Sequence, residues 1–203
     1  MYEAMVLLAV VFMFVSGIDY ARRAWIKQTT PVLATWILMM IMMILSFSMY
    51  WTSPNRSWSQ NIAVTSGAFN VAIILGGVIA SQIRYGTLEV AFTKIQKWCL
   101  VLGGGVVVFW FFTSDPLISY ILVQSIALIA YVATVKKLWD AEGSSEPLID
   151  WVLIFVGTLC AVYPAYTAHD LFSYIYLGRA LPSGILVIYL IARAQQRVAI
   201  KRS

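Results

Sequence analysis

The sequence predicts an all-α polytopic membrane protein, with seven transmembrane helices arranged as two parallel three-helix bundles joined by a linker helix. Three observations predict it. The 203 residues are 61% hydrophobic and 11% charged, with a mean hydropathy of +0.83, well outside the composition of a soluble domain. Long apolar runs alternate with short polar turns, and the basic residues gather in every second turn. Lastly, one turn is written twice. An apolar run ends in Arg22-Arg23-Ala24-Trp25, is followed by Pro31 and resumes around Trp36; the same order returns as Lys136-Lys137-Leu138-Trp139, Pro147 and Trp151. The paired Trp, Pro and Trp positions are displaced by 114, 116 and 115 residues, the near-constant period of an internal repeat.

A helix needs about 20 apolar residues to cross the hydrocarbon, and seven segments approach that length. The first covers residues 2–20; Glu3 is its only early charge, so it lacks the basic start of a cleavable signal and is expected to stay in the membrane. The second and third cover residues 31–51 and 61–83. A fourth, residues 98–112, is shorter and glycine-rich around Gly103-Gly104-Gly105. The last three cover residues 116–135, 148–167 and 171–191. Connections this short leave no room for an extramembrane domain. Helix five repeats helix one after a shift of four, and an even shift preserves direction across the membrane, so the halves are parallel repeats. Two three-helix units are parallel only when one extra crossing separates them, and the fourth helix supplies it. The expected units are residues 1–84 for the first bundle, 85–115 for the loop and linker helix, 116–194 for the second bundle and 195–203 for a basic tail.

Twelve of the fourteen Lys and Arg fall after helices one, three and five or in the tail. Positive-inside asymmetry then puts the N-terminus outside and the C-terminus in the cytoplasm, with a bacterial inner (plasma) membrane as the expected location. The net charge of +5 reads as topology, because basic residues spread over four short segments make no nucleic-acid surface. Cys99 and Cys160 both lie in apolar runs, so no disulfide framework, no metal and no other cofactor is expected. Pro31 and Pro147 are expected in the first turn of the helices they open, where a missing N–H costs nothing. Thr29, Thr30, Ser144 and Ser145 stand before them as N-cap candidates. The same prolines also read as pivots for gating at the inner ends.

With this repeat and these basic–tryptophan turns, the chain resembles the PQ-loop and SWEET-like transporters. Those proteins are similar in having 3 + 1 + 3 helices, an outside N-terminus and a basic turn with a tryptophan near the start of each bundle's second helix. The resemblance covers the whole chain by topology, and residues 16–36 and 130–151 by motif. Where the family has its Pro-Gln pair this sequence has Ser16-Gly17 and, in the second copy, Ala130-Tyr131. What the resemblance implies is a ligand site at mid-membrane depth between the bundles, with an asparagine on the third helix as a ligand contact; it implies no substrate. Bacterial nicotinamide riboside transporters and endoplasmic-reticulum retention receptors share the plan, so transport and reception both stay open.

Polar groups at membrane depth are costly and face cavities or bundle interiors. Asn70 is central in the third segment, and reads as either an interhelical hydrogen bond or a ligand contact; its counterpart in the last segment falls near Leu181. Arg179 is central in the last segment, where an arginine costs roughly 2.5 to 3.5 kcal/mol on insertion scales. Asp170 is about 13 Å away along the helix, too far for a direct pair, so an anion anchor facing a cavity is the favoured reading. Gln124, Ser125, Ser66, Thr158 and Ser183 complete the candidate substrate site. Pro182 is expected to bend the helix beside it. Tyr163 and Tyr166 are the outer-gate candidates, within a belt that includes Tyr120, Tyr174 and Tyr176. Asp19 lies within i, i+3 and i, i+4 reach of Arg22 and Arg23, for which a structural ion pair is favoured over proton coupling, and Asp150 invites the same two readings.

No H-E-x-x-H, no G-x-S-x-G and no midplane carboxylate pair is present, and all six lysines lie at membrane edges or in the tail, so no enzyme or retinal protein is expected. The expected function is alternating-access transport of a small polar or anionic solute. The alternative is a receptor or scaffold of the same fold that binds a ligand without moving it. The expected partners are the solute and the lipid bilayer, with a homo-oligomer left open.

Overall fold

In the computed structural model, which describes residues 1–54, 56–140 and 146–202, every regular element is a helix. They are α1 (Tyr2–Trp25), α2 (Leu33–Trp51), α3 (Ile62–Tyr85), α4 (Lys94–Thr113), α5 (Pro116–Asp140), α6 (Leu148–Cys160), α7 (Val162–Ala168) and α8 (Leu171–Arg202). Six spans among the described residues are long and apolar enough to cross a membrane, with α6 and α7 counted as one, and α5 contributes a shorter apolar stretch, Pro116–Val132. The chain is an integral membrane protein on that ground. Its lipid-facing side chains fit: Leu7, Val101, Phe111, Phe112 and Tyr189 are all more than half exposed, which water would not tolerate but hydrocarbon does.

Several elements outrun the apolar segments that predicted them. The fourth helix is not short. It starts at Lys94, because Thr93 and Gln96 form a reciprocal capping box: Thr93 Oγ1 accepts from the Gln96 N–H at 3.3 Å and Gln96 Oε1 accepts from the Thr93 N–H at 2.9 Å. Helices α1, α5 and α8 likewise continue past residues 20, 135 and 191 into their charged ends. The segment expected over residues 148–167 is divided at Ala161 instead. Pro164 has no N–H to give the Cys160 carbonyl and its ring crowds that oxygen, so α6 stops and α7 restarts.

Neither opening proline sits inside its helix. Pro31 precedes Val32, the extended N-cap of α2, and Pro147 is itself the extended N-cap of α6, at φ −76° and ψ 111°. Proline's fixed φ suits an N-cap, whose N–H needs no partner. The N-cap position of α2 is Val32, whose side chain makes no cap hydrogen bond, so neither Thr29 nor Thr30 occupies that position, while Ser144 and Ser145 lie outside the described residues.

α1, α2 and α3 are called the first group below, and α5, α6 and α8 the second. α3 lies between α1 and α2, and α8 lies between α5 and α6; the groups meet where α1 packs on α6 and α2 on α5. α4 lies against α5 and the flank of α2. Close approach is made by small residues, the usual device in lipid. A Cβ added at Gly77 of α3 would stand 2.4 Å from the Ala21 Cβ of α1, and one at Gly157 of α6 would stand 3.2 Å from the Ala9 carbonyl oxygen of α1.

Hydrogen bonds fix which helix ends share a side. At one end Tyr85 donates to the Trp25 carbonyl (2.9 Å), Gln96 Nε2 to Thr35 Oγ1 (3.0 Å) and Tyr20 to Glu146 Oε2 (2.9 Å). At the other, Tyr2 donates to Ser59 Oγ (2.9 Å) and Ser173 Oγ to the Gln60 carbonyl (3.1 Å). The first is the end that carries Arg22, Arg23, Lys27, Arg84, Lys94 and Lys97, and is called the basic end below.

Candidate functional site

Arg179 lies in the third turn of α8 and is held by a chain of neutral groups. Its Nε donates to Gln124 Oε1 of α5 at 2.7 Å. Gln124 Nε2 donates to Ser46 Oγ of α2 at 2.8 Å, and Ser46 Oγ donates to its own helix at the Met42 carbonyl, 2.8 Å. The chain crosses from one helix group to the other with Gln124 and Ser46 both buried. The guanidinium also lies 5.0 Å from the centre of the Tyr176 ring and 5.7 Å from that of Tyr131, within cation–π range. Tyr176 precedes Arg179 by three residues, which puts both on one face of α8.

Arg179, Tyr176 and Tyr131 line a cavity of about 60 Å³ at mid-helix depth, together with Met13 of α1, Trp36, Met39 and Met43 of α2, Gly67 and Asn70 of α3, and Trp151, Phe155 and Thr158 of α6; Gln124 and Ser46 stand behind its wall. A second cavity of about 70 Å³ adjoins it toward the basic end and includes Thr35, Gln96, Leu138 and Glu146. Trp36, Met39, Tyr131 and Trp151 belong to both cavities. The two tryptophans of the duplicated turn thus stand together in the dividing wall.

Asn70, fully buried, is bonded across to α1. Its Nδ2 donates to the Met13 carbonyl at 2.6 Å and to Ser16 Oγ at 2.8 Å. Ser16 and Gly17 make room for it, since a Cβ at Gly17 would come within 3.1 Å of Asn70 Nδ2. Thr158 donates to the Ile154 carbonyl of its own helix at 2.8 Å. Asn70, Gln124, Arg179 and Thr158 are therefore brought together at or against one cavity.

The other sequence candidates stand elsewhere. Ser66 is buried but bonds back to the Ile62 carbonyl at 2.6 Å, and Ser125 is exposed and bonds to the Ile121 carbonyl at 2.9 Å; both satisfy themselves within their helix, so neither reaches the cavity. Ser183 lines a separate depression between α5 and α8 with Leu128 and Leu186. α8 runs unbroken through Pro182, which is exposed. Tyr163 and Tyr166 lie on α7 away from the cavity, Tyr166 65% exposed.

The end opposite the basic one is instead closed by Tyr50, Tyr120 and Phe172. The Phe172 ring packs edge-on against both tyrosines, with centroids 5.6 and 5.0 Å apart, and both tyrosines are fully buried. These three residues tie α2 to α5 and α8.

The basic end carries an ionic junction between the groups. Arg23 Nε sits 2.7 Å from Asp19 Oδ2 on α1 and 3.7 Å from Asp150 Oδ2 on α6, with Arg22 Nη1 3.4 Å from Asp19 Oδ1. Asp150 is completely buried. The expected ion pair of Asp19 is present, and it extends across to the repeated helix. Among the described residues no three His, Cys, Asp or Glu side chains stand together as a metal site would need.

The residues that sequence reasoning missed as site residues are Trp36, Trp151, Tyr131, Ser46 and Tyr176. The signal for the two tryptophans was present, since they mark the same position of the repeat. No protein-family model, curated protein or solved structure matches the chain.

Proposed function

We propose that the chain is a membrane transporter that moves a small polar or anionic solute by alternating access, the two helix groups rocking about the Arg179 cavity. The observation that carries this reading is where the cavity lies. It is walled by both groups at mid-helix depth, the place where repeat-built transporters bind their solutes, and it holds an arginine within a membrane-spanning segment. The grouping supports the rest of the plan. α3 and α8 occupy matching middle positions, the contacts of α1 with α6 and of α2 with α5 exchange under the repeat, and α4 is the extra crossing that would leave the two groups parallel. These contacts support the further proposal that the chain is a member of the PQ-loop and SWEET-like superfamily, which its duplicated turn resembles.

In this reading the basic end faces the cytoplasm of a bacterial inner membrane, with the N-terminus outside. The Tyr50–Tyr120–Phe172 cluster is then an outer seal, and the second cavity leads inward from the solute site. Pro31 and Pro147, just outside their helices, are the matched hinges. The Asp19–Arg23–Asp150 junction holds α1 to α6 on the inner side and is exchanged for the outer seal as the groups rock.

Reconstituted vesicles preloaded with a candidate solute test the proposal by counterflow. Purified protein is first screened by thermal shift, in which a ligand at 100 times its Kd stabilises the native state by about 2.7 kcal/mol. A ligand so found should drive accumulation of its labelled form into preloaded vesicles, and Arg179→Ala should abolish both signals. A ligand that binds and never exchanges would replace the proposal with reception.

A further inference from the structure

Among the described residues no carboxylate forms an ion pair with the guanidinium of Arg179. Its Nε donates to the neutral amide of Gln124, and its other near contacts are the rings of Tyr131 and Tyr176. None of the residues lining its cavity is acidic. The carboxylates of Asp19 and Asp150 are gathered around Arg23 at the basic end. A cation held in place by a hydrogen-bond chain through its Nε, with no carboxylate among the described residues paired to it, is preorganised for a carboxylate, which accepts two parallel N–H bonds from the terminal edge of a guanidinium.

The rest of the cavity is mostly apolar. Trp36, Tyr131, Trp151, Phe155 and Tyr176 supply five aromatic side chains to its lining. Asn70 Nδ2 is engaged by Met13 and Ser16 and Thr158 Oγ1 by Ile154, while the buried indole N–H of Trp151 has no partner among the described residues; one open donor is fewer than the several hydroxyls of a sugar would need. The cavity is small, about 60 Å³, which suits a compact solute. A second charge on the ligand would meet no second cation there.

We propose that the solute is a monocarboxylate bearing one planar ring, its carboxylate clamped by Arg179 and its ring laid among these aromatic side chains. This rests on the reading of the cavity as the solute site. Gln124 is a positioning residue in it, aiming the guanidinium edge into the cavity.

The test uses the purified full chain and benzoate as the probe, with benzamide, the neutral molecule of the same shape, and glucose as comparators, read by titration calorimetry. Benzoate is expected to bind, and benzamide to bind at least about 10-fold more weakly, the scale of a charge-assisted hydrogen bond. Gln124→Glu places an internal carboxylate on the guanidinium without changing the shape of the cavity, and should weaken benzoate by about 10- to 100-fold. Arg179→Lys keeps the charge and loses the fork, and should weaken it by about 10-fold. Absence of benzoate binding, equal affinity for benzamide, or an unchanged affinity in Gln124→Glu would each overturn the proposal. Benzoate that binds but does not exchange in counterflow leaves the ligand class standing and removes transport. Glucose exchange without benzoate binding does the reverse.

Discussion

Two adjacent glycines in α3 should answer to the same substitution with opposite signs. Gly77 faces α1, and the Cβ of Gly77→Ala would be placed 2.4 Å from the Ala21 Cβ and 2.9 Å from its Cα. That is roughly 1 Å inside the separation at which carbon atoms attract, and the nearest backbone atom cannot rotate away. α1 must move off α3. Asn70 is seven residues earlier on the same face, two turns and about 10 Å along the helix, and its 2.6 Å bond to Met13 lengthens as α1 leaves. Overpacking costs about 1 to 3 kcal/mol and an interhelical hydrogen bond in lipid averages about 0.6, so Gly77→Ala should destabilise by about 2 to 3 kcal/mol. Gly76 is exposed, with nothing within 4 Å of an added Cβ. Gly76→Ala should be neutral or stabilise by up to about 1 kcal/mol, the helix propensity difference. Detergent-denaturation curves of the two purified variants decide the matter, together with Gly77→Ala/Ala21→Gly, which removes the worse contact and leaves the Cα one. Equal stabilities for the two glycine variants, or no partial recovery in the double variant, would show that the α1–α3 contact does not have this geometry.

Two further outcomes follow from the ends of the molecule. Arg23→Gln leaves the buried Asp150 without its cation; breaking a buried pair costs about 3 to 5 kcal/mol, and solvent reaching the partly exposed Arg23 lowers this to about 2 to 3. Adding Asp150→Asn should return at least half of that loss in the same denaturation assay, and an undiminished wild-type stability in Arg23→Gln would mean the junction carries no load. Phe172→Ala removes a half-buried ring and two edge-to-face contacts, a loss of about 2 to 4 kcal/mol. In a Met43→Cys background it should speed thiol labelling from the Glu3 end, because Met43 lines the cavity; an unchanged labelling rate would deny the cluster its role as a seal.

The apolar runs made the order of the long apolar segments legible, because insertion depends on length and hydropathy summed over many residues, while the division of one of them at Ala161 was not. Helix ends were less legible: α1, α5 and α8 continue through Arg23, Lys136 and Arg193 because a helix outlasts its hydrocarbon once its backbone bonds propagate. The Thr93–Gln96 box was readable as T-x-x-Q and lay outside the apolar segment, so it was passed over. At the site, Asn70, Gln124 and Arg179 stood out singly as polar residues in apolar runs. Their partners did not. Arg179 invited a search for a carboxylate and is met by an amide 55 residues away; Asn70 is met by the backbone carbonyl of Met13, an atom every residue carries. The seal shows the same limit. Tyr163 and Tyr166 are as aromatic as Tyr50 and Tyr120, and only the packing of Phe172 between the latter pair distinguishes them.

The length of α8 has a mechanical consequence. At 32 residues it extends well beyond a bilayer's hydrocarbon, and from Arg179 to Arg202 it is a rod of about 35 Å. With its fulcrum at the cavity, a rock of about 10° there swings the far tip by about 6 Å. Small repacking around a guanidinium becomes a displacement large enough to be read by a probe on that tip. The leverage also runs backwards. Arg193 and Arg197 lie on the long arm, and each basic residue near an anionic membrane surface is held by about 1 kcal/mol, a modest restraint that acts at the cavity with the whole length of the arm behind it.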